Sequence, residues 1–272
     1  MKPGLRHILP WLVLAAACCV PAQRAGVERP VSEPAPVRVR LLFAGDVMQH
    51  FPQVTAARCG DGFDYRGVFA YLRRRFHAAD LVVVNLETTL TRTDRYTGYP
   101  CFRSPVALAD ALRDAGVDVA VLANNHCCDG GAAGVHTTVA ELGRCGILHT
   151  GVFTDSLDRA ANNPLWVERY GVRFALLNYT YGTNGIPVPA GVEEVNLIDT
   201  ARMAADLAAA RRRPCRGQPP ARGAALRRRF VARGALFAGE LRVQPAAALL
   251  RRRVGGRNRG RAASRRAHVL FA

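Results

Sequence analysis

Residues 80–87 read DLVVVNLE, and this octapeptide decides the class of fold. Leu81 to Val84 form an unbroken apolar run with no polar face. A strand of that kind has to be covered on both sides, as happens in parallel sheets flanked by other layers. The run then stops at Asn85-Leu86-Glu87, placing an amide and a carboxylate at the carboxyl end of a buried strand. Outward from it, segments alternate between the two periods. VRVRLLFAG (37–45) reads as a strand and YRGVFAYLRRRFHAAD (65–80) as a helix with Val68, Phe69, Leu72 and Phe76 at helical spacing. SPVALADALRDAG (104–116) reads as a helix with Ser104 at the N-cap, Pro105 in the first turn and Gly116 at its end. VDVAVLAN (117–124) is a strand, and AAGVHTTVAELGRCG (132–146) a helix closed by Gly146. VRFALLNYTY (172–181) is a further strand, and DTARMAADLAAARRR (199–213) a further helix. This alternation predicts an α/β fold built on a parallel-dominated sheet.

In such sheets ligands bind beyond the carboxyl ends of the strands, so the residues there carry the functional information. The first strand runs into Gly45-Asp46, with Met48 and His50 following. The second ends in Asn85 and Glu87, and the third in Asn124-Asn125-His126 with Asp129 three residues on. The last ends in Asn178-Tyr179-Thr180. Taken singly, Asp46 is a turn cap, Asn85 a partner for backbone groups and His126 a buried histidine. Three strand ends bearing such groups together point instead to a site. Carboxylate and amide oxygens favour hard cations such as Mg or Mn, and an imidazole widens the choice to Zn or Fe. His77, His136 and His149 lack this company and read as structural or solvent-exposed. The adjacent Cys127 and Cys128 read as small packing residues, and the spacings of the other cysteines match no disulfide framework.

The ordered set GDVM (45–48), DLVVVNLE (80–87), ANNHCCDGG (123–131), LLNYTYGTNGIPV (176–188) and IDT (198–200) resembles the bacterial capsule-synthesis, poly-γ-glutamate CapA family over roughly residues 38–210. That family is similar in fold to the calcineurin-like metallophosphoesterases, a layered α/β sandwich with a two-metal site. The resemblance implies a dinuclear divalent site of Mn, Mg, Zn or Fe, with Asp46, Glu87 and Asn125 as metal ligands. His126 would face the substrate as the catalytic residue, and Asn85, His50 and Asp129 are second-rank candidates. Two cations ~3.5–4 Å apart can hold an activated water and steady the leaving oxygen. The substrate would be a phosphoester or an envelope polymer, handled beside membrane-associated capsule machinery.

The chain departs from the family after the IDT helix. The family continues with a His-Trp-Gly segment and a Gly-x-His-Pro-His segment that supply later ligands. Here no Trp follows Trp166, and His268 is the sole histidine after His149. Residues 211–272 hold 18 Arg, 13 Ala, 7 Gly and 4 Pro, with Glu240 the single acid. Their net charge of +17 equals that of the whole chain, so residues 1–210 balance to zero. Codons for those four residues begin with two G or C bases, the mixture that GC-rich DNA gives when read out of frame. The competing reading is an Arg-rich arm for nucleic acid or another polyanion. With no Lys and few interleaved aromatics the tail fits that poorly, and no specific nucleic-acid partner is expected. The tail is expected to be irregular, the site impaired and the protein poorly soluble.

At the other end, Lys2 and Arg6 precede an apolar run from Ile8 to Val20, too short for a bilayer span of about 20 residues. With Val20-Pro21-Ala22 after it, residues 1–22 read as a signal peptide for export to the periplasm or cell envelope. Acylation at Cys18 or Cys19 is the minority alternative. QRAGVERPVSEPAP (23–36) is a Pro-rich linker. Residues 37–210 then form the CapA-like domain, incomplete at its C-terminal side. The expected activity is a metal-dependent, hydrolase-like role in capsule or poly-γ-glutamate synthesis. The alternative is a non-catalytic envelope protein that grips an acidic polymer.

Overall fold

The computed structural model describes residues 37–212 and 237–243. The expected signal peptide, the linker and the remainder of the Arg-rich tail lie outside the described residues. Strands β1 (Val37–Val47), β2 (Leu81–Leu86), β3 (Val119–Val121), β4 (Leu148–Thr150) and β5 (Phe237–Val243) form one sheet in the order β5-β1-β2-β3-β4. The first four are parallel, and β5 runs antiparallel along the outer edge of β1. Strand β5 falls in the segment whose composition suggested no regular element. Helices α1 (Phe51–Ala56), α2 (Ala70–His77), α3 (Ala107–Ala115), α4 (Gly131–Arg144), α5 (Ser156–Asn162) and α6 (Thr200–Arg212) complete the framework. No helix among the described residues is long and apolar enough to cross a membrane.

Strand β2 lies inside the sheet, and its side chains divide by parity between two cores. Val82, Val84 and Leu86 pack with Phe76 of α2, Leu112 of α3 and Leu142 of α4. Leu81 and Val83 pack on the other face with Val119, Val121, Leu165, Val167 and Leu176. Each such side chain taken from water contributes about 1.5–3 kcal/mol, which explains why a run without a polar face is stable here. Cys127 and Cys128 belong to the helical-side core, their sulfurs 3.9 Å apart and unbonded.

Three local expectations are corrected. Ser104 does not cap α3, because Arg103–Pro105 form a short parallel strand against Thr89–Thr91 and the helix starts at Ala107. The fully buried Ser104 hydroxyl lies 2.9 Å from Thr88 Oγ1 instead. Pairing with Thr89–Thr91 holds this segment extended, so the helix begins two residues beyond it with Val106 at the N-cap. The strand expected over 172–181 ends at Leu176 and pairs with Leu165–Arg169, not with the parallel sheet. Tyr170 and Gly171 join the two strands with φ of 51° and 73°, the signs a type I′ turn requires. This hairpin supplies the second layer on β2. Finally, the helix expected over 65–80 begins as a 3-10 turn at Arg66–Phe69 before becoming α2. The glycine stop at Gly116 is as expected, with φ 98° and its N–H returned to Leu112 and Arg113 carbonyls.

Beyond β4, Asp155 caps α5 by accepting the Leu157 and Asp158 N–H groups at 2.9 and 2.8 Å. Burial alone would raise the Asp158 carboxyl. Contacts to His149, the Thr154 backbone N–H and the Asn162 amide outweigh it and hold the group at about 2. A depressed carboxylate stabilises the fold above its unfolded value of roughly 3.9, and that contribution is lost as pH falls toward 2. Asp158→Asn is therefore expected to lower the urea midpoint at neutral pH and to shrink the difference from wild type between about pH 4 and pH 2. An unchanged gap across that window would remove the assignment.

Candidate functional site

The site begins with an irregularity in β1. Ala44 pairs with Val84, yet Asp46 pairs with Asn85, so Gly45 is an extra residue bulged out of the ladder. Since strand side chains alternate faces, a one-residue slip turns Asp46 onto the face of its partner. Asn85 consequently donates from Nδ2 to Asp46 Oδ1 at 2.9 Å and to Glu87 Oε2 at 3.1 Å. Glu87 continues the pairing through its own N–H, which reaches the Val47 carbonyl at 2.9 Å. Burial, then the Asp46 charge and a hydrogen bond with Asp46, push the Glu87 carboxyl up to about 7. His126 works against that shift from nearby. Two carboxylates are thus held together by one neutral amide.

Asn124, beyond the end of β3, ties the second group to the first. Its Nδ2 donates to Asn85 Oδ1 at 3.1 Å and to the Leu86 carbonyl at 2.9 Å, and its Oδ1 accepts the His126 N–H at 3.0 Å. Its neighbour Asn125 donates from Nδ2 to Asn184 Oδ1 at 3.3 Å. His126 is buried with Nδ1 2.8 Å from Asp129 Oδ2. That oxygen also accepts the Phe102 N–H at 2.6 Å. A carboxylate accepts only, so His126 Nδ1 carries the hydrogen and Nε2 is the nitrogen left for a ligand. Arg103 fixes the same turn by donating from Nε and Nη2 to the Asp129 carbonyl at 3.2 and 3.0 Å.

The Phe102 ring meets two imidazoles edge to face, His126 at 4.7 Å and His50 at 5.1 Å between centroids. Of the residues expected at the site, Asp46, Asn85 and Glu87 therefore form one hydrogen-bonded cluster. His126 and Asp129 form a second, joined to the first by Asn124. Asn125 lies beside the second cluster, and the His50 ring is set against Phe102. Asn178 does not point into either cluster; its amide clasps Ala123, accepting the backbone N–H at 2.5 Å and donating to the carbonyl at 3.2 Å. Phe102 and Asn184 escaped the sequence reading because neither stands at a strand end. Asn124 was visible as half of an Asn-Asn pair, but nothing in the pair says which amide turns inward.

The donor chemistry suits a hard cation as far as it goes. A positive ion beside Asp46 and Glu87 would offset the burial and the neighbouring Asp46 charge that together raise Glu87 to about 7. Among the described residues, however, no group of three or more His, Cys, Asp or Glu is placed to hold a metal ion.

A parallel α/β sheet with a carboxylate, amide and imidazole cluster at its carboxyl edge defines the class of protein. The chain belongs to the bacterial capsule synthesis protein family PGA_cap, whose family model matches residues 40–216. Its function is accordingly of the capsule-synthesis type, at the cell envelope. No curated protein matches the chain.

Proposed function

We propose that the sheet edge is a divalent-cation site with hydrolase-like chemistry, acting on an envelope polymer or a phosphoester during capsule synthesis. The observation that supports this reading is the Asp46–Asn85–Glu87 cluster, in which two carboxylates are crowded around one neutral amide. Asp46 and Glu87 would hold the cation, with the Asn125 amide oxygen as a neutral donor. When bound, such an ion polarises a substrate oxygen and lowers the pKa of a bound water. His126, with Nε2 free and Asp129 fixing its tautomer, would pass a proton to the departing group. The loss of the later histidine segments in residues 211–272 would leave occupancy weak and turnover slow.

The test uses the full chain, manganese and the generic diester bis-p-nitrophenyl phosphate. Wild type is expected to bind fewer than two equivalents of Mn, with binding lost in Asp46→Ala. Two tightly held equivalents and rapid turnover would overturn the impairment. No Mn binding by wild type would overturn the cation site, and Mn binding with no hydrolysis would favour a non-catalytic, polymer-gripping role. We also propose export, with the mature chain starting near Gln23. Mass spectrometry finding Met1 intact on cytoplasmic protein would oppose that.

A further inference from the structure

Helix α2 and the 3-10 turn before it keep apolar side chains on the outside of the molecule. Of the four apolar residues that helical spacing groups together, Phe69 and Phe76 are buried, whereas Val68 and Leu72 stay 50% and 42% exposed. Tyr71, beside them, is 95% exposed. Within α2 itself only Phe76 is buried. Val68, Tyr71, Leu72 and Arg75 recur at intervals of three and four residues, which sets them along one outward stripe. The charge on this segment has one sign, since residues 66–77 hold four arginines and no Asp or Glu. Arg66 and Arg73 are each paired at 2.7 Å, with Asp64 and Asp114. Arg74 and Arg75 are exposed and have no carboxylate partner among the described residues.

Exposed apolar patches mark protein or membrane contacts, and the mixture on this stripe separates the two. A polyanion would answer the guanidinium groups but leave the apolar side chains in water. An apolar protein surface would strand the charges. An anionic bilayer takes both, because headgroup phosphates meet the arginines while apolar and aromatic side chains enter the boundary with the acyl chains. We propose that the outer face of Arg66–Phe69 and α2 is a docking surface for anionic phospholipid at the cell envelope. Val68, Tyr71 and Leu72 enter the boundary, and the long stems of Arg74 and Arg75 carry their charge up to the headgroups. The last turn of α2 leads into the start of β2, the end of that strand opposite Asn85 and Glu87. The two free arginines therefore anchor the chain at the end of the sheet away from the candidate site. Lipid docking on α2 is independent of the cation reading of the sheet edge.

The experiment uses the full chain with one tryptophan added, either Tyr71→Trp or, as control, Leu157→Trp on α5, where the leucine is 80% exposed. Both variants keep the Arg-rich residues 211–272, so adsorption through them is common to both. Each is mixed with vesicles of phosphatidylcholine alone, or of equal parts phosphatidylcholine and phosphatidylglycerol, with brominated acyl chains that quench nearby indoles. Emission is read against wild type, which supplies the signal of Trp11 and Trp166. The Tyr71→Trp indole is expected to shift to the blue and to be quenched on the anionic vesicles only, while the Leu157→Trp indole stays unchanged on both. Adding Arg74→Gln and Arg75→Gln to Tyr71→Trp should lower the docked fraction about tenfold or more, read as lost quenching. These positions are exposed, and urea midpoints equal to wild type verify that the fold is kept. A chain that sediments with anionic vesicles while the Tyr71→Trp indole stays unquenched binds through another segment, which overturns the proposal. Equal quenching in Tyr71→Trp and Leu157→Trp overturns it as general adsorption. Quenching that is as strong on neutral vesicles, or that survives both Arg→Gln changes, overturns the part given to charge. Silence of the Tyr71→Trp indole on both vesicles overturns the lipid and leaves the face to a protein or polymer partner.

Discussion

Gly151→Ala is expected to unfold the protein, or to leave it folded only at low temperature. Gly151 follows β4 with φ of 100°, where a side chain is strained at roughly 1–3 kcal/mol. A Cβ there would stand 2.2 Å from Asn178 Oδ1 and 2.7 Å from the Ala123 backbone nitrogen. The methyl could be accommodated only by expelling the Asn178 amide from Ala123. That would break both hydrogen bonds of the clasp and strand buried polar groups at about 1–3 kcal/mol each. Together these terms approach the whole stability of an ordinary domain, about 5–15 kcal/mol. Gly143→Ala is the matched control, since no atom lies within 4 Å of a Cβ built there. It sits inside α4, where alanine is the better helix former. Urea midpoints measure both variants. A Gly151→Ala midpoint equal to that of Gly143→Ala would show that the clasp yields without cost.

Phe102→Ala carries the second large effect. The ring is 1% exposed and touches both His50 and His126. Truncating a buried phenylalanine costs about 3–5 kcal/mol through lost contacts and the cavity left behind. The consequence for the site is separable from that for the fold. The Phe102 backbone N–H still reaches Asp129 in the variant, so the carboxylate keeps one donor while His126 loses the face that limits its ring. Phe102→Leu refills most of the volume without an aromatic edge partner. It is expected to recover most of the urea midpoint and to leave His126 loosely held, measured as broadened imidazole signals. A leucine variant with imidazole signals as sharp as wild type would show that Phe102 acts by volume alone.

The residues near the strand ends show why some of this was legible from the chain and some was not. LVVVNL announces a doubly covered strand because hydrophobic periodicity is a local property, and the two cores divide at β2 as that run requires. Glycine stops at Gly116 and Gly146 are equally local, since a left-handed residue closes a helix whatever surrounds it. Family membership was likewise carried by short ordered motifs. Misplaced elements arose where a distant partner outweighed a local signal. Ser104 looks like a cap until Thr89–Thr91 claim its strand. Residues 172–181 look like a sheet strand until Leu165–Arg169 fold back on them.

The sequence alone settled that a buried parallel sheet ends in carboxylates, amides and an imidazole, because polarity and period are written residue by residue. Which of those groups meet was settled by packing across the sheet. Gly45 bulges and thereby swings Asp46 onto Asn85, an event of register that no spacing in GDVM reveals. Asn124 turns inward to Asn85 while Asn125 turns to Asn184, 59 residues away. Side-chain direction at the end of a strand depends on the neighbouring ladder and on loops that close over it. Those contacts exist only once the chain has folded.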